Sequence, residues 1–422
     1  MVSVRAVKGT RDILPDESLA WQRVEAAARG LFARYGYREI RTPVFEETQL
    51  FARGIGTETD IVAKEMYTFD DRDGSSLTLR PEATAGIVRA VIEHNLVNTD
   101  PALKVYAMGP MFRRERPQKG RYRQFHQIDV EAFGYSSPSV DAEAIEMALG
   151  FLEACGLPAV ELVLNSVGDE TCRPSYVETL RAALRENLSK LGPDSQRRTE
   201  TNPLRVLDSK VPEEQALIAA LPKIGDHLCG PCRDHFDEVK RQLDLLGIRY
   251  RVEPRLVRGL DYYKKTTFEV VSGDLGAQNS VLGGGRYDGL VRDLGGPDVP
   301  GVGWALGLER LLLLLPVGEG EPRCDVFLAP LVPEAEHDAL RLQQALRRDG
   351  LRVLIDPEGR SFKSRMKLAD KLAARFVVIR GEDEVARGVW SVRDMGDSSQ
   401  EEVPLVRIVE HLETKVREKA NG

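Results

Sequence analysis

The sequence predicts an α+β fold: an antiparallel sheet that carries the chemistry, a helical insertion within it, and a small α/β domain at the C-terminal end. Three observations carry this. Two extended runs, Lys104 to Glu115 and Gln124 to Phe133, are joined by a loop rich in Arg, Lys, Pro and Gly and read as a long antiparallel hairpin. From about Cys172 to Gly247 the chain reads mostly helical. After a Pro/Gly/Glu stretch at Pro316 to Pro322, short apolar strands alternate with helical stretches, the signature of a partly parallel sheet.

Each element has its own signal. After Leu14-Pro15-Asp16, apolar residues Val24, Ala28, Leu31, Phe32 and Tyr35 recur at helical spacing, and Gly36 supplies the stop. A strand over Tyr37 to Thr42 ends at Pro43, which has no N–H to donate. Met66 to Asp70 and Ser76 to Arg80 flank Asp71-Arg72-Asp73-Gly74 as a hairpin, and a helix follows over about Ala83 to Asn95. Strand composition returns at Tyr262 to Val271 and Gly301 to Leu306, with Gly283-Gly284-Gly285 between them, and Leu311 to Leu315 reads as a core helix. Beyond Pro322, Cys324 to Pro330, Arg352 to Ile355 and Phe376 to Ile379 read as strands. The expected domains are 1-171 with 248-318, an insertion at 172-247, and 323-422.

The 422 residues hold Lys+Arg 59 against Asp+Glu 66, a net charge of −7, and are 42% hydrophobic and 30% charged, which excludes disordered, collagenous and membrane-embedded classes. No apolar run approaches the roughly 20 residues of a membrane-spanning helix, so no membrane partner is expected. Met1 to Thr10 shows no secretory pattern, and five scattered cysteines fit a reducing compartment, so the expected location is cytoplasmic. Mild acidity excludes binding of nucleic acid by bulk charge but leaves room for a local basic patch.

The strongest chemical signal lies in the long hairpin. Strand side chains alternate faces, so Phe125, Gln127, Asp129, Glu131 and Phe133 share one side and His126, Ile128, Val130 and Ala132 the other. Three polar groups between two aromatics are costly to bury unless each has a partner, so this side reads as a polar floor. At its mouth stand Arg113, Arg114, Arg116, Lys119, Arg121 and Arg123 against the single acid Glu115. That density suits polyphosphate or a nucleic-acid backbone.

The run Tyr106-Ala107-Met108-Gly109-Pro110-Met111-Phe112-Arg113-Arg114-Glu115-Arg116, continuing through Gln118 to Glu131, resembles motif 2 of the class II aminoacyl-tRNA synthetases. Leu79-Arg80-Pro81-Glu82-Ala83-Thr84-Ala85, Val257-Arg258-Gly259-Leu260-Asp261-Tyr262-Tyr263 and Gly303-Trp304-Ala305-Leu306-Gly307-Leu308-Glu309-Arg310 agree in order and spacing with the bacterial histidyl-tRNA synthetase family. The stretches around Glu82 and Arg258 are specific to that family. The helix, strand and Pro43 near the start are similar to motif 1. The resemblance covers essentially the whole chain.

It implies a class II catalytic domain with a helical insertion, an anticodon-binding domain after Pro322, and a homodimer through motif 1. It further implies ATP-dependent formation of histidyl-adenylate and transfer of histidine to its tRNA, with ATP entering as a magnesium complex and no tightly bound protein metal. The implied catalytic residues are Arg113, on the α-phosphate, and Arg258, opposite it and on the histidine carboxylate. Arg310 would hold the γ-phosphate, Arg121 the outer phosphates, Glu115 the adenine amino group and Phe125 the base; no magnesium ligand stands out beyond Glu115. Glu82, Thr84 and Gln127 would hold the ammonium, and Glu131 with Tyr262 and Tyr263 the imidazole. Arg116, Gln118 and Arg123 match positions facing the tRNA acceptor end with its extra 5′ guanosine. The insertion would clamp the acceptor stem, and Arg360, Lys363, Arg365, Lys367, Lys371 and Arg375 form a helically spaced basic stretch suited to RNA backbone. Ala83 stands where the family usually has Gly.

Two motifs stand apart. Cys229-Gly230-Pro231-Cys232 has dithiol spacing, but Pro222 to Asp226 is a poor preceding strand for a redox site; with His227 and His235 it offers a zinc set, and as a plain thiol pair it is structural. Gly283-Gly284-Gly285-Arg286 lacks the Gly-Lys-Ser/Thr ending of a P-loop and reads as room for close substrate approach. The alternative function is a non-catalytic paralogue, the regulatory subunit of ATP phosphoribosyltransferase. Such paralogues typically lack the C-terminal domain and several synthetase residues, and this chain keeps both.

Overall fold

The helix predicted after Leu14 forms over Pro15–Arg34, its acidic Asp16 and Glu17 in the first turn. It stops at Gly36 with φ +79°, where the Tyr37 N–H reaches back to the Phe32 carbonyl at 3.0 Å and satisfies one of the last orphan acceptors. The computed structural model describes residues 4–56, 59–100, 102–157, 159–275, 279–316, 323–356 and 358–421, and falls into two compact units, Met1–Val317 and Gly318–Gly422. The Pro/Gly/Glu stretch expected as a linker lies outside the described residues from 317 to 322.

In the first unit the strands are β1 (Arg38–Glu39), β2 (Phe45–Glu47), β3 (Tyr67–Asp70), β4 (Ser76–Leu79), β5 (Lys104–Phe112), β6 (Gln124–Phe133), β7 (Glu161–Ser166), β8 (Tyr250–Val252), β9 (Lys264–Val271), β10 (Ser280–Arg286) and β11 (Gly301–Gly307). Eight form one sheet in the order β1-β5-β6-β11-β10-β9-β7-β8, antiparallel except at the two edges, where β1 pairs with β5 and β8 with β7 in parallel. β2, β4 and β3 make a small antiparallel sheet. The predicted hairpin pairs Lys104 with Ala132 through to Phe112 with Gln124. Several expectations need correction. The strand after Gly36 is only two residues long, because Arg80 takes the chain out of the sheet by donating to the Thr42 carbonyl at 3.0 Å. Tyr262 and Tyr263 precede β9 rather than lie in it. Gly283–Gly285, to which composition assigned no element, belong to the interior strand β10.

Alternation gives the large sheet two unlike faces. Ile128, Val130 and Ala132 of β6 and Val302, Trp304 and Leu306 of β11 enter the main core, with Val24, Ala28 and Phe32 of the first helix, Ile145, Ala148 and Phe151 of helix Pro138–Ala154, and Phe236, Val239 and Leu243 of helix Gly230–Leu245. Phe32, Phe151 and Trp304 meet with ring centroids 5.4 to 6.3 Å apart. Truncating such a ring costs about 3–5 kcal/mol. A buried polar knot ties helices to sheet: Arg286 of β10 bonds Asp141, which also holds His235 Nε2 at 3.2 Å. Burial pushes Asp141 up, but His235 and Arg286 outweigh it and hold the carboxyl below its usual range. The stretch after Ser166 is helical, as expected, with helices Arg173–Glu186, Pro193–Thr201 and Gln215–Ala220 around a separate core of Tyr176, Leu180, Leu184, Val206, Ile218 and Cys232.

The second unit holds β12 (Val326–Pro330), β13 (Val353–Ile355), β14 (Phe376–Arg380), β15 (Val389–Asp394) and β16 (Gln400–Pro404) in the order β13-β12-β14-β15-β16. The first three are parallel and the last two join antiparallel. Val326 and Leu328 face one core with helix Pro333–Arg348, while Phe327 and Ala329 face another with helix Phe362–Lys371. The basic stretch is divided. Arg360 and Arg365 turn to Asp356, at 2.7 and 3.4 Å, and Arg375 to Asp325, leaving Lys363, Lys367 and Lys371 exposed along one helix face.

Candidate active site

The polar face of the large sheet floors a cavity of about 530 Å³. Its shape follows from the register. Gly303, Ala305 and Gly307 of β11 stand opposite Glu131, Asp129 and Gln127, and Gly283 and Gly285 of β10 continue the lane of small residues. Residues directly across an antiparallel pair share a face, so this lane leaves a trough beside the acidic strand. The glycines make room for the protein's own side chains: a Cβ on Gly283 would overlap the Arg258 guanidinium, and one on Gly303 the Glu131 carboxylate.

One end of the trough is acidic and nearly sealed. Glu82 is 2% exposed, Asp129 1% and Glu131 2%. Glu82 lies just before helix Thr84–Glu93 and accepts the Thr84 and Ala85 N–H groups at 2.8 and 2.9 Å, filling the donors that a helix start leaves open. Glu131 accepts the Thr84 hydroxyl at 2.6 Å and the Tyr287 hydroxyl at 2.5 Å. Tyr262 packs against Tyr263, centroids 4.7 Å apart, and against Tyr287 at 5.7 Å. Gln127 Oε1 and Asp129 Oδ2 are buried acceptors with no protein partner. Each such group costs about 1–3 kcal/mol, so together they call for a donor from a ligand. Asp129 and Tyr287 also line this cavity; sequence placed Asp129 on the polar floor without a ligand role and did not single out Tyr287. Asp129 carried a signal, its alternation with Gln127 and Glu131; Tyr287, 156 positions from Glu131, carried none.

The other end is cationic. Arg113, Arg121 and Arg310 line it together with Glu115 and Phe125, while Arg258 and Glu269 line the cavity at the level of Gly283, across Ala305 from Asp129. Arg113 Nε donates to the Pro81 carbonyl at 2.8 Å, and its guanidinium covers the Phe125 ring, 5.2 Å from the centroid. Glu115 lies 3.0 Å from Arg121 and 3.8 Å from Arg113. Arg258 pairs with Glu269, while its Nε is buried without a partner. Arg310 Nη1 donates to the Ser280 carbonyl at 2.9 Å. Burial lowers the Arg310 pKa, and the charges of Arg121 and Arg113 lower it further. An anion of several charges relieves that repulsion, and planar guanidinium forks suit phosphate oxygens. A trough with a carboxylate end and a guanidinium end matches a ligand pair carrying an ammonium and a polyphosphate.

All the residues expected from sequence to bind histidine or ATP therefore line one cavity. The three expected at the tRNA acceptor end do not. Arg116 and Gln118 are exposed on the loop between β5 and β6, whose tip closes by paired backbone bonds between Gln118 and Arg121. Arg123 turns away from them, its Nη1 on the Lys8 carbonyl at 3.3 Å and its N–H on the Gly9 carbonyl at 2.7 Å. The zinc set with His227 and His235 is corrected too: His235 holds Asp141, and His227 packs on Tyr176, centroids 5.4 Å apart.

Burial raises the Glu131 carboxyl to about 8 despite the bonds from Thr84 and Tyr287, and it raises Glu82 and Asp129 as well. Because the folded values exceed the ordinary ones, the native state binds more protons across that interval. These groups favour folding fully below about 4.5, and the contribution is lost as pH rises toward 8. Stability measured by denaturant titration is expected to fall over this window, and Glu131→Gln to flatten the fall. An equally steep profile in the variant would assign the dependence elsewhere.

A mostly antiparallel sheet whose polar face carries this cavity, with Arg113 on the β5–β6 hairpin and Arg310 just after β11, has the fold of a class II aminoacyl-tRNA synthetase catalytic domain. Residues 9–311 match the histidyl-tRNA synthetase family, and residues 325–415 match the anticodon binding domain. The chain is 54% identical to the histidine–tRNA ligase of Solibacter usitatus, over 97% of this chain and 99% of that protein. It is 50% identical to that of Koribacter versatilis over 99% and 98%. The crystal structure of apo Staphylococcus aureus histidyl-tRNA synthetase superposes with a TM-score of 0.82 at 37% identity, covering 97% of this chain and all of that one. The chain belongs to the histidyl-tRNA synthetase family.

Proposed function

We propose that the chain is a histidine–tRNA ligase: it activates L-histidine with ATP to histidyl-adenylate, releasing pyrophosphate, and transfers histidine to the 3′ end of its tRNA. The observation that carries this reading is one cavity that holds both an acidic set, Glu82, Gln127, Asp129 and Glu131, and a cationic set, Arg113, Arg121 and Arg310, with Arg258 over Gly283 between them. In the first step a histidine carboxylate oxygen attacks the α-phosphorus, the bond to the bridging oxygen breaks, and pyrophosphate leaves with the electron pair. No proton moves at the reacting centre. The protein's task is positioning and charge stabilisation.

Arg113 and Arg258 fit the α-phosphate and the attacking carboxylate, and Arg310 and Arg121 the outer phosphates, with magnesium arriving on the nucleotide. Phe125 offers a ring face to the base, and Glu115 an acceptor to its amino group. At the acidic end the unpartnered Gln127 Oε1 and Asp129 Oδ2 suit the ammonium, beside Glu82. Glu131, oriented by Thr84 and Tyr287, fits an imidazole nitrogen, with Tyr262 and Tyr263 closing the pocket. Imidazole has one donor and one acceptor, so a carboxylate and a hydroxyl satisfy both.

Among the described residues no helix is long and apolar enough to cross a membrane. The reading extends to a cytoplasmic homodimer, to acceptor-stem binding by the helical segment after Ser166, and to anticodon recognition by the second unit, where Lys363, Lys367 and Lys371 suit RNA phosphates. The regulatory-subunit alternative is disfavoured by the retained second unit and the complete set of cavity arginines. The test is charging: labelled histidine is expected to become tRNA-linked only with ATP and magnesium, and failure to charge the cognate tRNA would refute the proposal.

Arg116 is exposed and outside the cavity, so Arg116→Ala is expected to lower kcat/KM for tRNA about 10- to 100-fold, the size of one guanine contact, while leaving pyrophosphate exchange unchanged. The loss is expected only with tRNA that carries the extra 5′ guanosine. An equal loss with both tRNAs would mean a phosphate contact instead.

A further inference from the structure

The thiols that the ligase reaction does not use converge on a second place. Asp169-Glu170-Thr171-Cys172 leads into helix Arg173–Glu186, and Cys229-Gly230-Pro231-Cys232 leads into helix Gly230–Leu245; Cys172 and Cys229 are the residues that cap these helices. Each stretch thus carries two ligand-type residues separated by two others, at a helix start. One carboxylate oxygen of Asp169 and the sulphurs of Cys172, Cys229 and Cys232 all lie within 4.8 Å of one another. Cys172 and Cys232 are buried, at 6% and 0% exposure. The Asp169 Oδ1 atom stands 3.5 Å from the Cys172 sulphur and 3.9 Å from that of Cys229, so the carboxylate already points into the thiol cluster. Gly168, at φ +62°, keeps the turn open: a Cβ there would come within 2.7 Å of the Cys172 sulphur.

We propose that Asp169, Cys172, Cys229 and Cys232 bind one zinc ion in a closed, structural, tetrahedral site. A tetrahedral zinc with metal–sulphur bonds near 2.3 Å needs sulphurs about 3.8 Å apart, so side-chain rotation of less than about an ångström from the observed spread completes the geometry. Three soft thiolates and one carboxylate select zinc over magnesium or calcium. Four protein ligands leave no open position, so the ion serves structure rather than catalysis. On binding, the three thiols each lose a proton to solvent, and two converging helix starts favour the resulting thiolates.

The ion would pin two helices whose starts lie 57 positions apart in sequence to the strand end at Val167 and Gly168. Next to Cys172, Arg173 donates to the carbonyls of Val167 at 2.8 Å, Gly168 at 3.1 Å, and Tyr263. The zinc site would therefore steady the turn that presents Tyr263 to the cavity. This inference is independent of the ligase reading.

The test uses the full chain, purified without chelator from zinc-supplemented cells and dialysed against metal-free buffer. Metal analysis is expected to find one zinc per chain, and replacement by cobalt to give thiolate-to-cobalt charge-transfer absorption with the strong visible bands of a tetrahedral site. Cys232→Ser is expected to retain about a tenth of the metal or less, while Cys155→Ser and Cys324→Ser, outside the cluster, retain it. Should Cys232→Ser fail to fold, the cobalt spectrum of the unmodified chain decides alone. A folded chain with no metal and no such spectrum, or one whose mass shows a Cys229–Cys232 disulfide after purification under reducing conditions, would overturn the proposal.

Discussion

Arg258→Ala is expected to lower histidine-dependent pyrophosphate exchange by about 10³-fold, the effect of removing one oriented charge from a developing transition state. The loss should fall mainly on kcat. Arg258 lies over Gly283 and is paired with Glu269, so it is held in place before any ligand arrives. Removing it leaves Glu269 without its cation, and Arg258→Ala with Glu269→Gln separates the loss of catalysis from that of stability. Arg258→Lys is expected to recover little, because an ammonium cannot bridge two oxygens as a guanidinium does. Gly283→Ala provides an independent check from the sheet below: its methyl group would displace the guanidinium, and misplacement by about an ångström can cost about 10²-fold. Near-normal exchange in a folded Arg258→Ala chain would remove this residue from the catalytic account.

Glu131→Gln is expected to reduce exchange with histidine by about 10²- to 10³-fold and to narrow discrimination against amino acids of similar size. Glu131 is 2% exposed and accepts two hydroxyl bonds, from Thr84 and Tyr287. The amide keeps the size and one acceptor but loses the ability to ionise against a bound ligand and the freedom to accept at both atoms. Removing one partner from a buried, charge-assisted contact typically costs about 2–5 kcal/mol. A pocket built to pair buried polar groups rejects a ligand lacking them by about 10⁴–10⁵, and that margin should shrink in the variant. Tyr287→Phe tests the same support from behind; it should raise KM for histidine with little effect on that for ATP. Unchanged selectivity in both variants would place side-chain recognition elsewhere.

The polar floor was legible in the sequence because a strand's period is two: Gln127, Asp129 and Glu131 had to share a face whatever surrounded them. The helix Pro15–Arg34, the β5–β6 hairpin and the helix-rich stretch after Ser166 were legible for the same reason, each declaring its period over many residues. Short strands without a run of β-branched residues were not. β10 carries three consecutive glycines and shows no strand composition there, yet it is an interior strand, and the missing Cβ at Gly283 lets Arg258 lie on the sheet. Long-range partners were hidden as well. Nothing in the sequence near Glu131 points to Tyr287, and the spacing of Arg360, Arg365 and Arg375 suggested a solvent-facing basic row, whereas two of these turn to Asp356 and one to Asp325. The sequence offered Cys229 and Cys232 nearby histidines as one possible ligand set; the fold instead gathers Asp169 and Cys172 beside them.

Exchange of labelled pyrophosphate into ATP by the purified chain, without tRNA and with each amino acid in turn, tests the central claim most directly. Exchange is expected with histidine and not with the others, since adenylate formation needs only the two ends of the one cavity. A folded chain that binds histidine yet catalyses no exchange would contradict the account and favour the regulatory paralogue.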